Sequence, residues 1–211
     1  MSDEYHFDVK KKRPEESYGN VLDYFKGETL SKYASSKSIM RTQEKITINA
    51  LEILALKEKN ALILDAGCGP GFAAMYLKEI GYKVVSIDIV SEFLSFYDIR
   101  ELNPLNADMC FPPFRENSFD AILSISSLQW IFREVNNTIM RKNIITLFKA
   151  FFSILKPWCK LVFQFYPKNS ELTREMGVLI ADNTEFKGNF IINNPENPKK
   201  RKIFLELVKE K

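Results

Sequence analysis

The 211-residue chain carries 30 Lys and Arg against 27 Asp and Glu, a net charge of +3, and 45% of its residues are apolar, which suits one well-buried core and leaves too little length for two. Its longest apolar runs, ALIL (61–64) and LVFQFY (161–166), fall far short of the roughly 20 residues that span a bilayer, so the expectation is a soluble, cytoplasmic protein. Three cysteines without a CxxC pair (Cys68, Cys110, Cys159) and a single histidine, His6, exclude a disulfide framework and a zinc site built from this chain.

Residues 1–37 are polar with little periodicity and read as a partly mobile N-terminal arm; 38–211 read as one domain. Basic blocks sit near both ends, KKKR at 10–13 and KKRK at 199–202, and are either solvated tails or phosphate contacts. From Ile39, apolar residues at Ile46, Ala50, Ile53 and Leu54 predict an amphipathic helix ending near Lys57. ALILDAG then reads as a strand buried on both faces, followed by a glycine turn and a helix, FAAMYLKEI, stopped by Gly81. KVVSID is a second strand, SEFLSFYDIR a helix with Ser91 as its N-cap, PLNAD a short edge strand and FDAILSIS a fourth strand. A longer helix follows, with Ile144, Leu147, Phe148, Phe151, Phe152 and Leu155 on one face, closing at Lys156 before Pro157. KLVFQFY is a fifth strand, SELTREMGVLIAD a helix, and FKGNFIIN and KIFLELV a closing antiparallel hairpin. Strands alternating with helices at this spacing predict an α/β, Rossmann-like fold: a seven-stranded, mostly parallel sheet with helices on both faces.

In such a sheet, ligands settle beyond the carboxyl ends of the strands, where the strand order reverses. DAGCGPG lies at such an end. Gly67, Gly69 and Gly71 suit a tight turn and close ligand approach, with the adjoining Cys68 part of the same wall, and the following helix points its free N–H groups at the site. Asp88, 17 residues after Gly71, ends the second strand, where a carboxylate accepts from both hydroxyls of a ribose, with Ile89 beside it. The spacing is GxGxG rather than the dinucleotide GxGxxG, and Asp65 directly before it would repel a pyrophosphate but suit the cationic end of S-adenosylmethionine. Asp108, after the third strand, is placed to accept from the adenine amino group while Met109 packs on the ring, and Ser124 ends the fourth strand beside them. Acidic residues at three successive strand ends therefore point to a class I methyltransferase.

The acceptor should meet the methyl group at SISSLQWIF, where Ser126, Ser127, Gln129 and Trp130 stand. The chain has no NPPY-type sequence for amino-group methylation and no Pro-Cys nucleophile for pyrimidine C5. A neutral ring nitrogen with an exposed lone pair, such as guanine N7, needs no general base, which fits the lack of a His-centred constellation.

DAGCGPG, SIDIV, NADMCFPPFRENSFDAILSISSLQWI and LVFQFYPKNSE together resemble the small-subunit ribosomal RNA guanine-N7 methyltransferases of eukaryotes and their archaeal relatives. The likeness extends to RPEE and KYASSKSIMRTQ near the N-terminus and INNPENPKKRKIFLEL near the C-terminus, so it runs from about residue 13 onward. It implies S-adenosylmethionine as cofactor, small-subunit rRNA or a pre-ribosomal particle as substrate, and a small zinc-binding activator subunit on a sheet edge. It assigns Asp65, Gly67, Gly69, Gly71, Asp88, Asp108 and Met109 to the cofactor and Tyr33 and Gln129–Trp130 to the active-site rim. Gln129, Trp130 and Tyr166 are the candidates for work at the acceptor, with an aromatic face of Trp130 or Tyr166 available to the methylated base. Two departures stand out: Ser38 beside Lys37 replaces an arginine usual in the family, and the long basic C-terminal tail of the eukaryotic members is lacking, which suggests an archaeal source. A small-metabolite methyltransferase and a ribosome-assembly factor, in which docking outweighs chemistry, remain as alternatives.

Overall fold

The computed structural model describes residues 12–97, 102, 104–197 and 200–210. The sequence readings at residues 1–11, 98–100 and 199 lie outside them. Where the sequence reads as an aperiodic arm, the chain forms three short helices: α1 (Pro14–Tyr18), α2 (Val21–Tyr24) and α3 (Gly27–Ala34). Capping rather than apolar period builds them. Pro14 opens α1, whose Arg13 N–H donates to the Glu16 carboxylate at 3.1 Å, and the Asn20 side chain accepts from Leu22 N–H at 3.0 Å to start α2. Elements of four to eight residues are too short to display a repeating stripe.

The longer helix α4 (Lys37–Leu54) is capped by Ser36 and ends at Leu54 rather than near Lys57, because Ala55 turns left-handed at φ 49°. Then the strands alternate with helices: β1 (Leu62–Ala66), α5 (Phe72–Glu79), β2 (Lys83–Asp88), β3 (Leu105–Asn106), β4 (Phe119–Ile125), α6 (Leu128–Ile131), α7 (Thr138–Ile154), β5 (Leu155–Phe165), α8 (Ser170–Asn183), β6 (Lys187–Asn193) and β7 (Lys202–Val208). Between β2 and β3, Ser91–Phe96 is a 3-10 turn and not a Ser91-capped α-helix; the Ser91 hydroxyl donates to Glu92 instead, and Phe93 N–H closes a three-residue ring onto Val90 C=O. Helix α7 stops at Ile154, two residues before the predicted Lys156. Leu155 already pairs with Phe119 of β4, and the sheet absorbs Pro157 and Trp158 (φ 64°) where the β4–β5 register shifts.

The seven strands run in the order β3-β2-β1-β4-β5-β7-β6, with the first five parallel and β7 antiparallel to both its neighbours. This is the predicted Rossmann-like sheet, and its closing hairpin places β7 inside β6. Alternate residues of each strand face opposite layers. Ile63, Leu123 and Val162 meet α4 and α5, whereas Leu64, Ile122, Leu161 and Phe163 meet α7 and α8. The predicted α7 stripe is the centre of the second layer, with Ile144, Leu147, Phe148 and Phe151 wholly buried. Burying such a side chain contributes roughly 1.5–3 kcal/mol. The order of strands reverses between β1 and β4, so the tips of β1, β2 and β4 open the crevice in which a ligand belongs. No helix among the described residues is long and apolar enough to cross a membrane.

Candidate active site

The glycine turn after β1 is tied to β2 by its backbone: the Gly67 and Cys68 N–H groups both donate to Ile87 C=O, at 2.9 and 3.1 Å. All three glycines have positive φ, but for different reasons. A Cβ on Gly67 would stand 2.7 Å from Met109 Cε and Ser127 Oγ, so only glycine keeps that wall of the crevice open. A Cβ on Gly71 would strike the Tyr97 ring at 2.6 Å, which makes it a packing position, and Gly69 faces open space.

Gly67, Asp88, Ile89, Asp108 and Met109 line one cavity of about 320 Å3, closed by Asn20, Val21, Ser127, Trp130, Ile131 and Asn143. Five predicted cofactor residues are thus brought together. Asp88 Oδ2 accepts from Gly69 N–H at 2.7 Å and Oδ1 from Val90 N–H at 2.8 Å. The Ile89 N–H also donates to this carboxylate, so of its four lone-pair sites at least one remains for a ligand hydroxyl. Burial raises the Asp88 pKa, against the pull of these backbone N–H donors. Asp108 Oδ1 accepts from Cys110 N–H at 2.8 Å, which fixes the carboxylate at the cavity wall. A carboxylate with acceptor capacity to spare, a second acid, a methionine beside it and a wall only glycine leaves open line one cavity and together fit a nucleoside with a cationic tail.

Asp65, Cys68 and Ser124 do not line this cavity. Asp65 shares the face of Ile63 and points at α5, where it accepts from the Ala74 N–H; its Oδ2 is buried without a partner. Burial first, then the negative charge of Asp88, pushes its pKa up to about 7. The carboxylate therefore acts from beneath the turn. The Cys68 side chain packs with Ala74, Tyr97 and Leu102. Ser124 is wholly buried and donates to Ala66 C=O at 2.7 Å, joining the tips of β4 and β1.

A second cavity, of about 410 Å3, is lined by Tyr33, Gln129, Trp130 and Tyr166 together with Arg13, Glu15, Tyr24, Phe25, Ser38 and Gln43. Trp130 belongs to both cavities. Its ring lies 5.7 Å from Tyr24 and 6.0 Å from Phe25, and Phe25 continues to Tyr33 at 5.0 Å and Phe93 at 4.9 Å. Such pairs contribute about 0.5–1.5 kcal/mol each beyond area burial, so the aromatic cluster seats the N-terminal helices on the sheet tips. Burial pushes the Tyr33 phenol to about 12, so it stays protonated. Two arginines complete the attachment. Arg13 donates to the carbonyls of Tyr166 and Pro167, and Arg133 spans Trp130 C=O at 3.2 Å and Gly19 C=O at 3.0 Å.

Arg13, Glu15, Asn20 and Val21 also line the two cavities, and apolar periodicity does not reveal them; the resemblance carried by RPEE reaches the first two. Gln129 Nε2 donates to Ser126 C=O at 2.7 Å, while its Oε1 is buried without a partner.

A family model described as "Methyltransferase domain" matches residues 64–175. The chain is 32% identical over 201 residues to the 18S rRNA (guanine-N(7))-methyltransferase of Mus musculus, covering 93% of this chain and 71% of that protein. It is 34% identical over 190 residues to the 18S rRNA (guanine(1575)-N(7))-methyltransferase of Saccharomyces cerevisiae, with coverages of 88% and 68%. It is also 34% identical to the probable 18S rRNA (guanine-N(7))-methyltransferase of Dictyostelium discoideum, where the match takes in 83% of this chain and 63% of the relative's length. Among solved structures, the N-methyltransferase NodS of Bradyrhizobium japonicum, in complex with S-adenosyl-L-homocysteine, superposes with a TM-score of 0.63 at 14% identity, covering 87% of this chain and 97% of that one. A TehB-like SAM-dependent methyltransferase of Corynebacterium glutamicum gives 0.63 at 17% identity, with coverages of 85% and 97%. The glycine turn, the acids at the strand tips and an extended likeness that reaches into the N-terminal helices agree, and the chain belongs to the 18S rRNA guanine-N7 methyltransferase family within the class I methyltransferases.

Proposed function

We propose that this protein transfers the methyl group of S-adenosylmethionine to N7 of a guanine in small-subunit ribosomal RNA. The observation that carries the reading is Trp130, which forms a wall of both the nucleoside-shaped cavity and the aromatic cavity beside it. A donor in the first and a base in the second would meet at that residue.

When bound, the cofactor supplies an electrophilic methyl on a sulfonium. Asp88 would hold its ribose hydroxyls, Asp108 its adenine amino group, and Met109 and Ile89 its adenine ring, while Gly67 leaves room at the turn. Guanine N7 offers a lone pair that carries no proton, so the chain needs no general base to prepare it for the methyl group that the cofactor would supply. The residues therefore serve alignment, which for well-oriented partners is worth on the order of 7–11 kcal/mol. The base becomes cationic as the sulfonium becomes neutral. An indole face such as Trp130 stabilises that charge by roughly 0.5–2 kcal/mol. A guanine in folded RNA reaches this cavity only when unstacked, and the aromatic lining suits a flipped base.

The reading includes a small zinc-binding activator subunit, in the cytoplasm, on the β3 edge. Its support is that β3 is a two-residue edge strand with both residues exposed, flanked by Ile89, Phe96 and Phe111, the last 71% exposed. Purified protein, alone and with the activator, incubated with isotopically labelled methyl donor and small-subunit rRNA, should yield labelled 7-methylguanosine by mass spectrometry of the digested RNA. Label in another nucleoside, or in none, would remove the reading.

A further inference from the structure

Two acceptors at the second cavity have no task in methyl transfer. Glu15, in α1, is 6% exposed although it is a carboxylate, and it lines this cavity and the adjoining one that runs toward Arg133 and Lys168. Its carboxylate accepts from its own backbone N–H, and its ion-pair contact among the described residues, Arg13 Nη1 at 4.0 Å, is too long for a hydrogen bond, so acceptor capacity remains. Gln129 lines the same two cavities and is 8% exposed, and its amide is anchored through Nε2, so Oε1 is an acceptor that nothing among the described residues satisfies. A buried acceptor without a donor costs free energy of about 1–3 kcal/mol unless a ligand supplies the donor. That cost falls on Gln129 Oε1, and with the spare acceptor capacity of the Glu15 carboxylate on the same cavity the site suits a ligand edge that carries N–H donors.

Guanine carries such an edge on the side of the base away from N7. N1–H and the 2-amino group are neighbouring donors there, whereas adenine presents a bare N1 acceptor and no 2-amino group. We propose that the Glu15 carboxylate accepts from both N1–H and the 2-amino group of the flipped base while Gln129 Oε1 accepts from the second 2-amino hydrogen, so that these two residues make the enzyme specific for guanine. Adenine would leave Glu15 facing a lone pair, which is repulsive as well as unsatisfied. The aromatic walls hold any base by stacking; the two acceptors choose which base. This inference rests on the methyltransferase reading and adds to it the origin of base selection. Glu15 also ties this selection to the fold, because α1 is held to the sheet by the Arg13 contacts with Tyr166 and Pro167, the pairing of Lys168 with Glu16 at 3.4 Å and the Arg133 bond to Gly19 C=O.

The test uses guanosine 5′-monophosphate and inosine 5′-monophosphate, which differ only in the 2-amino group, as probes for the full chain saturated with S-adenosylhomocysteine. Binding is read by calorimetry and by quenching of tryptophan fluorescence. A well-placed hydrogen-bonded pair to a base edge discriminates by about tenfold or more, so the guanosine nucleotide should bind at least about tenfold more tightly. In Glu15→Gln, where the side chain keeps its shape, that ratio should fall toward one while affinity for S-adenosylhomocysteine is retained. A residue that only supports α1 would weaken both nucleotides equally and leave the ratio alone. An unchanged ratio in the variant, or no preference or no binding in the parent protein, overturns the proposal. If rRNA still acquires 7-methylguanosine under those outcomes, only the assignment of Glu15 and Gln129 falls; if it does not, the functional reading falls with it.

Discussion

The two cavities that meet at Trp130 are built in opposite ways. The cavity proposed for the cofactor takes Gly67, Asp88, Asp108 and Met109 from the tips of adjacent parallel strands, a geometry set by backbone pairing and by short turns directly after each strand. The cavity proposed for the acceptor joins Arg13 and Glu15 to Gln129 and Tyr166, more than 110 residues away along the chain, through side-chain contacts such as that of Arg13 with the Tyr166 carbonyl. The first is a property of the sheet; the second exists only while the N-terminal helices are docked. Changes at the first should abolish activity, and changes at the attachment should alter how the acceptor is held.

The largest effect is expected at Asp88. Its carboxylate holds the Gly69 and Val90 N–H groups as well as facing the cavity. Hydrogen bonds to a charged group are worth about 1.5–3 kcal/mol each, so Asp88→Ala should lower affinity for S-adenosylhomocysteine by about a hundredfold or more in calorimetry. Asp88→Asn, which keeps an acceptor for the turn, should lose less. Unchanged affinity in the alanine variant would detach this carboxylate from cofactor binding altogether.

An intermediate effect is expected at Arg13. Arg13→Met keeps the apolar stem and removes the hydrogen bonds to Tyr166 and Pro167 that dock α1. KM for RNA should rise by about tenfold, the equivalent of one charge-assisted hydrogen bond, with cofactor affinity little changed. Equal losses in both would show that the two cavities depend on the arm alike and would end the contrast.

The smallest effect, and the one that separates the turn's foundation from its binding surface, is at Asp65. Its folded pKa of about 7 lies above the ordinary 3.8, because of burial and the neighbouring Asp88. The folded state therefore holds this proton more tightly than the unfolded chain does. Its contribution to stability is fully present below about pH 4 and is lost as pH rises through about 7. Asp65→Asn should match the parent protein in thermal melts at pH 4 and exceed it at pH 8 by about 1–3 kcal/mol, the cost of an unpaired buried polar group. A gap that widens toward low pH would mean that Asp65 is stabilised as the anion, in contradiction to its burial.

The parts of this molecule that read directly from sequence share a physical cause, namely short range. Strand β1, the turn and α5 announce themselves as a buried run, three glycines and a helix stopped at Gly81, whose N–H bonds back to Lys78 C=O. The α7 stripe is equally plain because its period of 3.6 persists over four turns. What sequence misplaces are features decided by a competing partner. Leu155 belongs to β5 because Phe119 pairs with it, and Asp65 supports the turn instead of lining the cavity because strand alternation turns it toward α5. The 3-10 turn at Ser91–Phe96 and the three N-terminal helices are too short for a periodic signal.

By itself, the amino-acid sequence determined the alternating α/β order, the glycine turn and the acids at the strand tips, because hydrophobic period and turn chemistry act between near neighbours. Tertiary structure alone decided that Glu15 and Gln129 stand together, that Trp130 serves two cavities, and that Cys68 and Ser124 lie beneath the site rather than in it. Those relations arise where distant segments close on one another, and no local preference of the chain encodes the meeting of side chains that far apart.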